Sequence, residues 1–157
     1  MASPLLIALL VLQAFHVAFL AFHDWIPLGR LNDVRAVRAA NPGASLLVTT
    51  VLSTVPYAAG LMMSLAYRHQ AFPGWVTVWL WVSYGPLFGG ELRAWWIPYL
   101  IRPEPERAAR YQAMFGRTVA FLPPRNGISP NALHVVLHAA TVSVLILLGL
   151  TALSAPA

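Results

Sequence analysis

The chain has 157 residues and not one is cysteine; its ten basic residues are all Arg, with no Lys among them. The absence of cysteine excludes a disulfide, a thiolate nucleophile and any cysteine-based zinc or iron–sulfur site. Charge is scarce as well, at 10% of residues, and the five acids are Asp24, Asp33, Glu91, Glu104 and Glu106. There is no glycine-rich phosphate loop and no nucleophile motif. A pI near 10.5 raises nucleic acid as a partner. The chain has no long Arg run, no basic helix face and no RNA-binding signature, so nucleic acid is not expected.

What is abundant is apolar surface. With 59% apolar residues and a mean hydropathy of +0.66, the composition is that of an integral membrane protein. A span needs about 20 apolar residues to cross roughly 30 Å of hydrocarbon. Four windows qualify: Pro4–Phe22, Ser45–Tyr67, Trp75–Tyr99 and Ala132–Leu153. Between them the arginines sort by side. Arg30, Arg35 and Arg38 fall in the first connection and Arg93, Arg102, Arg107, Arg110, Arg117 and Arg125 in or beside the third, with only Arg68 in the second. The positive-inside rule then predicts a cytoplasmic first and third loop and both termini on the non-cytoplasmic side, an arrangement suited to a bacterial cytoplasmic membrane. A cleaved signal peptide over residues 1–22 is the rival expectation. It is disfavoured because the stretch has no basic leader, no small-x-small cleavage site before His23, and enough length to span.

The expected fold is therefore all-α: a single transmembrane domain over residues 1–157, a four-helix bundle with a cytoplasmic interfacial amphipathic helix. That helix is predicted at 104–115, with acids in its first turn and Ala108, Tyr111 and Phe115 on one face; Arg107 and Arg110 would meet anionic lipid headgroups. A shorter helical segment is expected over Asn32–Ala40, stopped by Asn41-Pro42-Gly43. Trp75 and Trp95 lie about 30 Å apart along a helix, which makes them interface anchors of the third window, with Trp25 and Trp96 in the inner belt. Helix packing is expected along Ser53, Tyr57, Gly60 and Ser64, and through Gly85 and Gly89 as a small-xxx-small pair, with Pro56 and Pro86 disturbing their helices.

Depth along the helices brings the ionisable residues into one region, the cytoplasmic third of the spans. Counted from the inner belt, His16 lies about 13 Å deep and His138 about 10 Å, with Glu91 and His134 each about 5 Å deep. His23, Asp24 and Arg93 stand at the rim. Ionisable side chains inside a span face the bundle interior or a wet cavity. His16, Glu91, Arg93, His134, His138, Asp24 and His23 are thus the candidate ligand-binding or acid–base set. His16, Glu91, His134 and His138 also have the chemistry of a divalent-metal site, and His16 and His138 that of haem ligands. Each histidine alone is as well explained by a hydrogen bond to a neighbouring helix. Two functions follow: a pocket for a lipid-soluble ligand or a metal or haem cofactor, or an accessory or assembly subunit that docks on other membrane subunits. An oligomeric small-solute transporter is a third.

Overall fold

A computed structural model describes residues 3–153. It is all-helical among these residues. The elements are α1 (Pro4–Phe22), α2 (Val34–Ala40), α3 (Gly43–Ala66), α4 (Gly74–Glu91), a widened turn at Leu92–Trp96, α5 (Ile97–Leu100), α6 (Pro105–Phe115) and α7 (Ala132–Leu153). Three helices are long and apolar enough to cross a membrane: α1, α3 and α7. The Trp75–Tyr99 window is helical, but α4 is not among the three. Gly85, Pro86, Gly89 and Gly90, three Trp and the terminal Glu91 lower its aliphatic content.

Local chemistry sets the ends. Ser3 accepts the Leu6 amide at 3.2 Å ahead of Pro4, Asp33 accepts the Ala36 amide at 3.0 Å, and Asn131 accepts the His134 amide at 3.2 Å. Each satisfies an amide that a helix start leaves open. Pro105 opens α6 and Glu106 sits in its first turn, where a negative charge suits the helix dipole.

The four long helices close a ring in which α1 packs on α3 and α7, and α4 packs on the same two. Consecutive members run in alternate directions, so the end of α1, the start of α3, the end of α4 and the start of α7 meet at one end of the bundle. The core between them is Leu9, Phe19, Tyr57, Val76, Leu80, Tyr84, Val144 and Leu148. The outer surface remains apolar, with Val11, Leu52, Val55, Val78, Val82 and Ile146 among the exposed residues. An apolar belt of this kind suits hydrocarbon rather than water.

Of the α3 packing stripe, Tyr57, Gly60 and Ser64 are buried, and a Cβ on Gly60 would stand 3.0 Å from Leu80 Cδ2 of α4; Ser53 is half-buried and lines a cavity between the helices. Gly85 and Gly89 are different. Nothing lies within 4 Å of a Cβ at either, so they make no close helix contact, because the face of α4 that meets its neighbours is the one carrying Val76, Leu80 and Tyr84.

The expected cytoplasmic segments occupy the same end of the bundle. Helices α2 and α6 pack on one another through Val37 and Met114, with Leu46 of α3 completing the cluster, and Ala108, Tyr111 and Phe115 turn inward onto Trp95, Tyr99 and Ile128. A turn at Asn126-Gly127, both with positive φ, folds residues 125–128 back on themselves, with Arg125 and Ile128 exchanging backbone hydrogen bonds at 2.9 Å. Asn and Gly are the residues that adopt this backbone at least cost.

Candidate functional site

Where the four helices meet, they leave a cavity of about 650 Å³. It draws Phe19, His23 and Asp24 from the end of α1, Thr50, Ser53 and Tyr57 from α3, Gly90 and Glu91 from α4, Trp95 from the widened turn, and His134 and His138 from α7. Five of the seven residues singled out in the sequence therefore line one space. The other two do not. Arg93 points outward, its side chain 58% exposed, and pairs with Glu104 at 2.6 Å. His16 is fully buried in the layer beyond Glu91, reached through Thr141.

The deep layer is a chain of hydrogen bonds across three helices. His16 Nδ1 lies 2.7 Å from the Leu12 carbonyl and Nε2 lies 3.0 Å from Thr141 Oγ1. The Thr141 hydroxyl in turn lies 2.8 Å from Glu91 Oε1. The Tyr84 ring stands edge-on to His16 at 5.0 Å and Tyr57 lies over it at 6.4 Å. Glu91 Oε2 is buried with no protein partner, as are the Tyr84 hydroxyl and both polar atoms of Gln13. Buried polar atoms are rarely left unpaired, and of these residues Glu91 alone also lines the cavity.

On the other side of the cavity the histidines cluster edge to face. His134 lies against Trp95 at 4.8 Å and Phe115 at 5.0 Å, and it stands 5.6 Å from His23 and 6.3 Å from His138 between ring centres. Its Nδ1 is 3.2 Å from Asn131 Oδ1. The Trp96 indole donates to His138 Nδ1 at 3.1 Å. An indole N–H only donates, so Nδ1 of His138 is an acceptor and the hydrogen of the neutral ring sits on Nε2. His23 Nδ1 donates to the Phe19 carbonyl at 2.9 Å, and Nε2 faces Asp24 Oδ1 at 3.2 Å. Burial holds the Asp24 carboxyl above its ordinary range, with His23 beside it pulling the other way.

No protein family, curated protein or solved structure matches the chain. The site must be read from its own chemistry.

Among the described residues no group of three or more His, Asp and Glu is arranged to hold a metal ion. The reason is visible in the partners: both nitrogens of His16 are engaged within the protein and Nδ1 of His138 faces an N–H. His16 and His138, matched in depth, also sit in different layers. The tryptophans depart from their expected role too. Trp75 is 56% exposed and free to meet an interface, but Trp95 is 5% exposed and forms a wall of the cavity. It turns inward because α6 lays Tyr111 and Phe115 over it.

Sequence reasoning missed Thr141, the residue that joins His16 to Glu91. A threonine in an apolar helix carries no signal of its own, since it commonly bonds back to its helix, and the Leu137 carbonyl is within reach of Thr141 Oγ1 at 3.1 Å. Arg107 and Arg110 both have protein partners: Arg107 pairs with Glu104 at 2.8 Å and Arg110 donates to Asn41 Oδ1 at 2.8 Å. They share a surface groove of about 830 Å³ with Arg93 and Arg102.

Proposed function

We propose that this chain is a four-span membrane protein whose cavity takes a lipid-soluble molecule by its polar head. The observation that carries the reading is the cavity itself: Glu91, His134 and His138 lie beside Tyr57, Trp95 and Phe19 in one space between four helices. A few placed polar groups within aromatic and apolar walls is the common composition of a small-molecule site. Crossing by α4 is supported by its contacts with both α3 and α7 and by the helical path from Gly74 to Leu100, about 40 Å long. Nine of ten arginines lie at the cavity's end of the bundle, which favours a cytoplasm-facing site and non-cytoplasmic termini. The groove of Arg93, Arg102, Arg107 and Arg110 supports contact of that end with anionic headgroups. The committed histidine nitrogens favour an organic ligand over a metal or haem.

The test is to purify the full chain from its membrane, extract it with organic solvent and identify what co-purifies by mass spectrometry. Glu91→Gln and His138→Ala should each retain about tenfold less of the bound species than the wild type while remaining folded and extractable, since each leaves a buried polar partner unmet. Equal retention in all three proteins would remove the cavity from the explanation. An absorption spectrum and elemental analysis of the same sample decide against the organic reading if they show stoichiometric haem or metal.

A further inference from the structure

The hydrogen bonds of the deep layer fix a proton count. The Leu12 carbonyl only accepts, so Nδ1 of His16 carries a hydrogen. Between His16 Nε2 and Glu91 Oε1 stands one hydroxyl, with one hydrogen to give. If Glu91 is ionised, that hydrogen goes to Oε1 and Nε2 must be protonated to bond Thr141. If His16 is neutral, the hydrogen goes to Nε2 and Glu91 must be protonated to bond Thr141. A neutral His16 with an ionised Glu91 leaves two acceptors facing each other across a buried gap, which costs the desolvation of the unmet group. Adding a second proton satisfies the bonds but leaves an unpaired positive charge in the bundle, which is costlier. Donation to the Leu137 carbonyl, 3.1 Å away, would leave Thr141 only accepting, so that Nε2 and Oε1 would both need a hydrogen, which is the two-proton state with its unpaired charge.

We propose that His16, Thr141 and Glu91 hold one proton in common, and that the cavity consequently recognises a neutral head group that donates to Glu91 and accepts from His138. The two arrangements interconvert without a net change. A proton leaves Glu91 Oε1 for Thr141 Oγ1 as the threonine's own hydrogen passes to His16 Nε2; two bonds to hydrogen break and two form. In both arrangements Glu91 Oε2, buried and unpartnered, is an acceptor. His138 presents Nε2–H, because Trp96 occupies its Nδ1. An alcohol, phenol or amide on a lipid-soluble body matches both; a carboxylate meets Oε2 with a second acceptor. The groups facing this triad are Tyr57 of α3 and Tyr84 of α4, with His134, His138, His23 and Asp24 across the cavity. The ligand half rests on the cavity reading above, and the proton half does not.

Nitrogen-15 NMR of histidine-labelled full-length protein in lipid nanodiscs reads Nε2 of His16, assigned by its loss in His16→Asn. The infrared carbonyl band of a protonated carboxyl reads Glu91, assigned by its loss in Glu91→Gln. Across the neutral pH range the protonated fractions of the two should sum to one in the wild type and in Thr141→Ser, and should cease to do so in Thr141→Val. A wild type with neutral His16 and ionised Glu91, or with both protonated, overturns the shared proton, and this reading stands even if Thr141→Val does not fold. Dodecanol, dodecanamide and dodecanoate are then titrated while the His138 Nε2 signal is followed. The alcohol and the amide should saturate at about tenfold lower bilayer concentration than the carboxylate. Preference for the carboxylate overturns the ligand class. No response to any of the three, with the proton sum intact, overturns the cavity reading alone.

Discussion

Gly60 offers a direct test of how α3 and α4 are held together. A Cβ built there stands 3.0 Å from Leu80 Cδ2, and the Trp79 indole is next at 3.8 Å. Carbon atoms rest at about 3.5–4.0 Å, so Gly60→Ala leaves a shortfall of roughly half an ångström against a side chain that is itself fully buried. Overpacking a closed site costs about 1–3 kcal/mol. In water an alanine would recover about 1 kcal/mol from helix propensity. In lipid, individual spans are already helical before they associate, so little of that gain applies. The net expectation is a loss of about 1–2 kcal/mol, a factor of roughly 5–30 in the folded fraction. Gly89→Ala is the internal control, because its Cβ meets nothing within 4 Å, and it should lie within about 0.5 kcal/mol of wild type. Titration with sodium dodecyl sulfate in mixed micelles, followed by tryptophan fluorescence, measures both. If Gly60→Ala is as harmless as Gly89→Ala, the α3–α4 contact described above is not what holds these helices.

A reporter inserted near Glu106 should give a cytoplasmic signal and one fused after Ala157 a non-cytoplasmic signal; the reverse pair would refute the four-span arrangement. Asn131 donates to the Leu31 carbonyl and Thr118 and accepts from the α7 start, so Asn131→Ala should cost at least the ~1 kcal/mol of a lost cap and show it as faster amide exchange at the start of α7. The Glu104 carboxylate is held below the ordinary range, first by its bond to Arg107 and then by Arg93. A depressed carboxylate stabilises the native state above its unfolded pKa, about 4.3 for Glu, and that contribution disappears as pH falls through the lower folded value. Protection of the amides at the start of α6, measured against their intrinsic exchange rates at each pH, should therefore decline on acidification below about pH 4.3 in the wild type and show no such step in Glu104→Gln.

Apolar length was the clearest message in the sequence. Predicted and observed bounds coincide for Pro4–Phe22 and Ala132–Leu153, and the interfacial segment expected at 104–115 is α6, Pro105–Phe115. These elements are set by local content: a capped apolar run, or a proline start with an apolar face. The site was legible in depth but not in rotation. Counting residues matched His16 with His138 and, nearer the rim, Glu91 with His134; of these four, Glu91, His134 and His138 share a cavity. Nothing local says which way a helix turns, and so Arg93 faces out to Glu104, His16 sits one layer deeper, and Gly85 and Gly89 look away from their neighbours. Thr141 is decided wholly by what α1 and α4 place against it.

The widened turn at Leu92–Trp96 acts as a phase shifter in the α4 path. One residue added to a regular helix rotates everything beyond it by about 100°, and wide turns of this kind recur where function needs such an offset. Here the offset lets a path that leaves Val78 and Val82 exposed bring Trp95, Pro98 and Tyr99 inside a few turns later. Deleting a single residue from Leu92–Trp96 would leave the length of the path almost unchanged and yet swing Trp95 off His134, Trp96 off His138 and Tyr99 off the Pro123 carbonyl in one motion. A one-residue gap at this turn in a related sequence is therefore a change to the cavity wall and not merely to the length of the helix.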